Sequence, residues 1–133
     1  MIKGIAHAAF IVSDMEKSLD FYCNVLGFTH VFEIKDDQQN PWIHYIKLAE
    51  GQFIELFYGS PQNTDNHTYS HLCFEVDDID EIANRIKSRG ITLDVEPCQG
   101  KDLNYQCWVR DPDGNRIEFM QIHLDSPQNK CRA

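Results

Sequence analysis

The sequence predicts an α+β protein made of two tandem βαβββ modules that pair into a curved mixed sheet with the helices outside. Three observations carry this. The chain repeats itself: HAAFIVSDM at 7–15 matches HLCFEVDDI at 71–79, so that His7, Phe10, Val12 and Asp14 align with His71, Phe74, Val76 and Asp78. In a register one residue shorter, Gly27, Gly51, Ile54 and Glu55 align with Gly90, Gly114, Ile117 and Glu118. Within each copy, one apolar strand-like run precedes one helical stripe, and three further extended runs follow.

The elements follow in order. Residues 4–12 and 69–76 are β-rich and bounded by polar residues, which predicts strands. Ser13-x-x-Glu16 and Asp78-x-x-Glu81 have capping-box spacing ahead of amphipathic runs. Met15, Leu19, Tyr22 and Leu26 form one helical stripe; Ile79, Ile82, Ala83 and Ile86 form the other. Gly27 and Gly90 stand where a left-handed residue ends each helix. The remaining strands are expected at 29–35, 42–49 and 52–58, and at 92–96, 105–110 and 115–122. Ala49-Glu50-Gly51-Gln52 and Asp111-Pro112-Asp113-Gly114-Asn115 supply the turns between the last two strands of each module. Module one thus spans 4–59, a polar linker 60–68, module two 69–122, and a loosely held polar tail 123–133, all within one domain of 133 residues.

Composition narrows the function. The net charge of −9 disfavours nucleic acid and anionic membranes as partners, because both repel a negative field. No apolar run approaches the ~20 residues of a membrane span. The opening MIKGIAHAAFIV has no basic region or cleavage site. Five cysteines at irregular spacing, without Cys-x-x-Cys, argue for free thiols and a cytoplasmic setting. Exposed sheet edges predict a symmetric homodimer.

Four polar residues stand where apolar ones are expected. His7 shares its strand face with Ile5, Ala9 and Ile11; His71 holds the same place in the second module. Glu55 lies in FIELF, between Phe53 and Phe57, with Ile54 and Leu56 on the opposite face; Glu118 lies in RIEFM beside Met120. A buried carboxylate must be paired or neutralised. Repeat symmetry that brings two imidazoles and two carboxylates together makes a good first-row divalent metal site. His30, His44, His67 and His123 have no repeat partners and read as surface or local hydrogen-bonding residues, with His44 and His123 the two within reach of the pocket. Trp42, Tyr45, Tyr105 and Trp108 read as core or pocket wall, and Tyr69 shares the face of His71.

The opening IAHAAFIVSDMEKSLDFYCNVLGF, the paired modules and the close DPDGNRIEFMQ resemble the vicinal oxygen chelate superfamily over about 4–122. The His-Glu-His-Glu set is most similar to that of bacterial glyoxalase I. The resemblance implies metal ligands at His7, Glu55, His71 and Glu118, with Glu118 and Glu55 as the catalytic carboxylates. It implies one divalent ion, nickel or cobalt first, with zinc, manganese and iron open. It implies a lyase or isomerase acting on a small molecule, in which a proton moves between neighbouring carbons through an enediolate, as for a 2-oxoaldehyde hemithioacetal. Epimerase or lyase chemistry on a carbohydrate or 2-oxo acid stays open, as does metal-free small-molecule binding. Two departures bear on the thiol. Ile11 stands near the place of a glutathione-binding Arg. Gly59 stands where the stretch after the first Glu usually carries Asn. The pocket wall is expected to be richer in Phe53, Phe57 and Met120 instead.

Overall fold

A computed structural model describes residues 1, 3–60 and 69–132. The linker expected at 60–68 lies, but for Ser60, outside the described residues, as does His67. The chain divides into two compact units, Met1–Asp65 and Asn66–Ala133, each described by itself.

The first unit contains β1 (His7–Val12), α1 (Met15–Leu19), a π-helical stretch (Asp20–Val25), β2 (Thr29–Lys35), β3 (Pro41–Ala49) and β4 (Gln52–Tyr58). Its sheet runs β1-β4-β3-β2, with β1 parallel to β4 and the other pairs antiparallel. The second contains β5 (Leu72–Glu75), α2 (Ile79–Ser88), β6 (Val95–Gln99), β7 (Tyr105–Arg110), β8 (Arg116–Gln121) and α3 (Pro127–Lys130), with the equivalent order β5-β8-β7-β6. The expected βαβββ order is present twice.

Each sheet has one helix-covered face. In the first unit Val12, Ile46, Ile54 and Leu56 are buried with Phe21, Tyr22 and Val25; in the second, Cys107, Val109, Ile117 and Phe119 are buried with Ile79, Ala83 and Ile86. Each large aliphatic side chain so covered stabilises the fold by about 1.5–3 kcal/mol. The alternate residues point to the other face. There, cross-strand register sets Tyr45 opposite Glu55, and Trp108 opposite Glu118.

Local physics adjusts four expectations. The first helix is capped by Asp14, whose carboxylate accepts from Lys17 N–H at 3.1 Å, and not by Ser13. The helix then widens: Leu26 N–H donates to Phe21 O, five residues back, so Phe21 and Val25 join the buried stripe while Leu19 is half-buried. The strand expected at 92–96 starts later, at Val95. Ile91 N–H is held by Ile86 O, Leu93 is buried, and the edge strand then bulges around Pro97, where a missing N–H costs little. The tail is not loose. Ser126 caps α3 through Asn129 N–H, Gln128 accepts from Asn104, and Arg132 pairs with Glu75. Both helix-ending glycines have positive φ, +84° at Gly27 and +80° at Gly90. Among the described residues no helix is long and apolar enough to cross a membrane.

Candidate metal centre

Neighbouring parallel strands bring each histidine to its carboxylate. β1 runs beside β4, so His7, at the start of β1, sets its Nε2 3.2 Å from Glu55 Oε2. His71 sits immediately before β5, and its Nε2 lies 3.0 Å from Glu118 Oε2. In both pairs the carboxylate is buried, Glu55 7% and Glu118 4% exposed, while the imidazole is reachable from solvent. A buried carboxylate so close to an imidazole nitrogen can accept a hydrogen bond from it, and the same oxygen and nitrogen can instead share a cation. Within each unit the structure therefore joins the two residues that the sequence singled out. Among the described residues there is no cluster of three or more His, Cys, Asp or Glu side chains arranged to hold a metal ion.

The two carboxylates have different neighbours. Glu55 accepts a hydrogen bond from the Tyr45 phenol, which raises that phenol's pKa; burial adds to the effect. Tyr45 is itself stacked on Phe32, ring centroids 4.3 Å apart. At Glu118 the corresponding cross-strand residue is Trp108, whose indole N–H donates to Gln106 instead, at 3.1 Å. Glu118 is hydrogen-bonded by the Cys73 thiol, from a position that is Ala9 in the first unit. Burial pushes the Glu118 carboxyl above its ordinary range, opposed by His71. Burial and the Glu118 charge push the Cys73 thiol up to about 12.

Period-two alternation found the histidines and glutamates. It missed Tyr45 and Cys73 as their partners, because cross-strand register is invisible until strands pair. His44 does not share the face of Glu55. It lies opposite Leu56 on the helix side, buried, with its ring nitrogens at 2.8 Å from His30 and 3.2 Å from the Tyr58 hydroxyl. His123 is a local partner, accepting from Asp125 N–H at 3.1 Å. The Tyr69 hydroxyl donates to the Arg116 carbonyl at 2.8 Å.

Ile11 and Gly59 lie against each other. A Cβ built on Gly59 would come 3.0 Å from an Ile11 methyl. Any side chain at 59 would therefore press against Ile11.

Comparison with known proteins agrees with the fold. A family model for the Glyoxalase/Bleomycin resistance protein/Dioxygenase superfamily matches residues 4–119. The chain is 31% identical to the lactoylglutathione lyase of Neisseria meningitidis serogroup A, covering 88% of this chain and 89% of that one. It is 30% identical to YaeR of Escherichia coli (strain K12), covering 90% and 97%. Among solved structures, TnmS3, an antibiotic binding protein from Streptomyces sp. CB03234, is 25% identical with a TM-score of 0.75, covering 92% and 98%.

Proposed function

The chain belongs to the Glyoxalase/Bleomycin resistance protein/Dioxygenase superfamily, and on that premise we propose a divalent-metal-dependent, glyoxalase I-like lyase or isomerase. It moves a proton between adjacent carbons of a small substrate such as a 2-oxoaldehyde hemithioacetal. The observation that carries this reading is the His–Glu pair that recurs at matching places of the repeat, His7 with Glu55 and His71 with Glu118.

The donor set fits the metal. Two neutral nitrogens and two carboxylates suit a first-row divalent ion. His7, Glu55, His71 and Glu118 would hold it, nickel or cobalt ahead of zinc, manganese or iron. When bound, such an ion supplies a Lewis acid for adjacent substrate oxygens. The rest falls to the chain. Glu118 takes the proton at a carboxylate oxygen and returns it to the neighbouring carbon, and its burial favours the protonated form it must pass through. Cys73, beside it, holds that carboxylate in orientation. Glu55, held by the Tyr45 hydroxyl, serves the opposite substrate enantiomer. Ile11 and Gly59 offer no donor for a glutathione carboxylate, so glutathione is a poor thiol here.

A second reading, small-molecule binding without catalysis, draws on the likeness to an antibiotic binding protein and on the aromatic wall of Trp42 and Phe57, ring centroids 5.8 Å apart. Epimerase or lyase chemistry on a carbohydrate or 2-oxo acid fits the missing glutathione contacts. We also place the protein in the cytoplasm, as its unpaired cysteines favour. A symmetric homodimer is favoured by β2, an edge strand exposed along its whole length. Light scattering checks the dimer.

Metal analysis of the purified protein, followed by proton exchange in deuterated water over a panel of 2-oxoaldehydes, thiol adducts and keto sugars, tests the main reading. Stoichiometric metal and chelator-sensitive exchange are expected. A protein that retains a ligand without metal and exchanges no proton sinks it in favour of the second reading.

A further inference from the structure

Arg116 opens β8, two residues before Glu118 and on the same sheet face. Its guanidinium carbon lies over the Trp108 indole, 4.4 Å from the ring centroid. Trp108 is the cross-strand partner of Glu118 and packs its ring against His71, centroids 4.7 Å apart. One connected group therefore runs from Arg116 through Trp108 to the His71–Glu118 pair.

The charge on Arg116 is not used up locally. Elsewhere in the second unit Arg110 is paired with Asp94 at 2.9 Å, Lys87 with Glu96 at 2.9 Å, and Arg132 with Glu75. Arg116 has no such acidic partner among the described residues, and it is solvent-exposed. A guanidinium held over one indole face keeps N–H donors available to an anion. The ring contact also fixes the fork, so less side-chain freedom is lost when an anion is gripped. The first unit has Phe53 at the position matching Arg116, so this cation is peculiar to the second copy. In a chain of net charge −9, an unneutralised arginine held over an indole beside the candidate centre is a device for an anion.

We infer that Arg116 is a specificity-determining residue that grips a carboxylate on the substrate, so that the site takes a small acid bearing adjacent chelating oxygens, of the 2-oxo or 2-hydroxy acid class. The substrate class rests on the metal reading above. The contact to Arg116 rests on the second unit alone.

The test uses two chelating probes on cobalt-loaded protein: acetohydroxamic acid, and the monohydroxamic acid of succinic acid, which adds a carboxylate. Binding is followed by calorimetry and by the visible absorption of cobalt. Wild type is expected to prefer the carboxylated probe by at least about tenfold, the lower end of what a charge-assisted hydrogen bond is worth. Arg116→Gln should bring the two affinities together while the cobalt spectrum of the ligand-free protein stays unchanged. Arg116→Lys, which keeps the charge but not the fork, should restore part of the preference. Equal affinities in wild type, or a preference that survives Arg116→Gln, overturn the inference. A phosphonate-bearing hydroxamate that binds better than the carboxylate overturns the acid class. If cobalt does not bind, the metal reading fails by itself. The same probe pair is then run on metal-free protein, where an Arg116-dependent preference sustains the contact and its absence ends it.

Discussion

Replacing Glu118 by glutamine separates the base from the ligand. The side chain is 4% exposed, its Oε2 is 3.0 Å from His71 Nε2, and the Cys73 thiol is its other close partner. Glutamine keeps that shape and one carbonyl oxygen, so His71 retains an acceptor and a metal retains a donor. The fold loses no packing, and a buried charge is exchanged for a neutral amide. Circular dichroism and the urea midpoint should therefore be little changed. What glutamine cannot do is accept a proton. A positioned general base is worth roughly 10²–10⁴ in rate, which corresponds to about 2.7–5.4 kcal/mol at 1.36 kcal/mol per decade. The assay is deuterium exchange into substrate followed by NMR, with metal content measured on the same sample. Glu118→Gln is expected to keep much of its metal and lose that factor. Glu55→Gln should lose less where one enantiomer is processed. Near-normal exchange by metal-loaded Glu118→Gln would refute the assignment and make Glu55 the first candidate for the base.

Four other outcomes are expected. His71→Ala should stay folded but weaken cobalt binding by at least tenfold; at a metal concentration one hundred times the wild-type Kd, thermal stabilisation then falls from about 2.7 to about 1.4 kcal/mol. His44 has its pKa lowered by burial and by His30, so the folded state resists a proton that the unfolded chain accepts near 6.5. Its contribution is full above that value and lost as pH falls through the lowered folded pKa. Urea midpoints between pH 7.5 and 5 should drop, and His44→Cys, which copies the residue at 107, should flatten the slope. Gly90→Ala meets no atom within 4 Å, so its cost is the strain of φ +80° alone, about 1 kcal/mol by urea unfolding. Iodoacetamide at pH 8, read by peptide mass spectrometry, should label Cys98 and Cys131 first; Cys73 is exposed as well, but desolvation and the Glu118 charge push its thiol up to about 12, and burial does the same at Cys107.

The repeat made the βαβββ succession of elements legible, because both period-two runs and helix-ending glycines recur at matched positions. Boundaries were less legible wherever a side chain competed with the backbone. Asp14 outcompetes Ser13 as a cap because its carboxylate reaches the N–H of Lys17. Pro97 does not stop a strand, because it falls at a bulge on an edge. The polar tail looked unbound because its anchors, Asn104 and Glu75, are distant in sequence. The same limit governs the candidate site. Histidine and glutamate stand out in apolar runs, whereas Tyr45 and Trp108 look like ordinary wall residues until register sets them opposite Glu55 and Glu118.

The differences between the two copies have a physical direction. On the helix-covered faces, apolar residues match apolar ones: Ile54 with Ile117, Leu56 with Phe119, Phe10 with Phe74. On the other faces the neighbours diverge: Ala9 against Cys73, Phe53 against Arg116, Tyr45 against Trp108. Yet the histidine and the glutamate persist in both. Residues kept only for packing have no reason to persist where everything packed around them has changed. A metal ion has no handedness, so symmetric donors suit it. A substrate whose two ends differ calls for unlike side chains, and Phe53 and Arg116, at matching positions of the two copies, are unlike in charge and shape. On the proposed function, Phe53→Arg should therefore erode the preference for one substrate orientation, while a metal titration of that variant stays where the wild type has it.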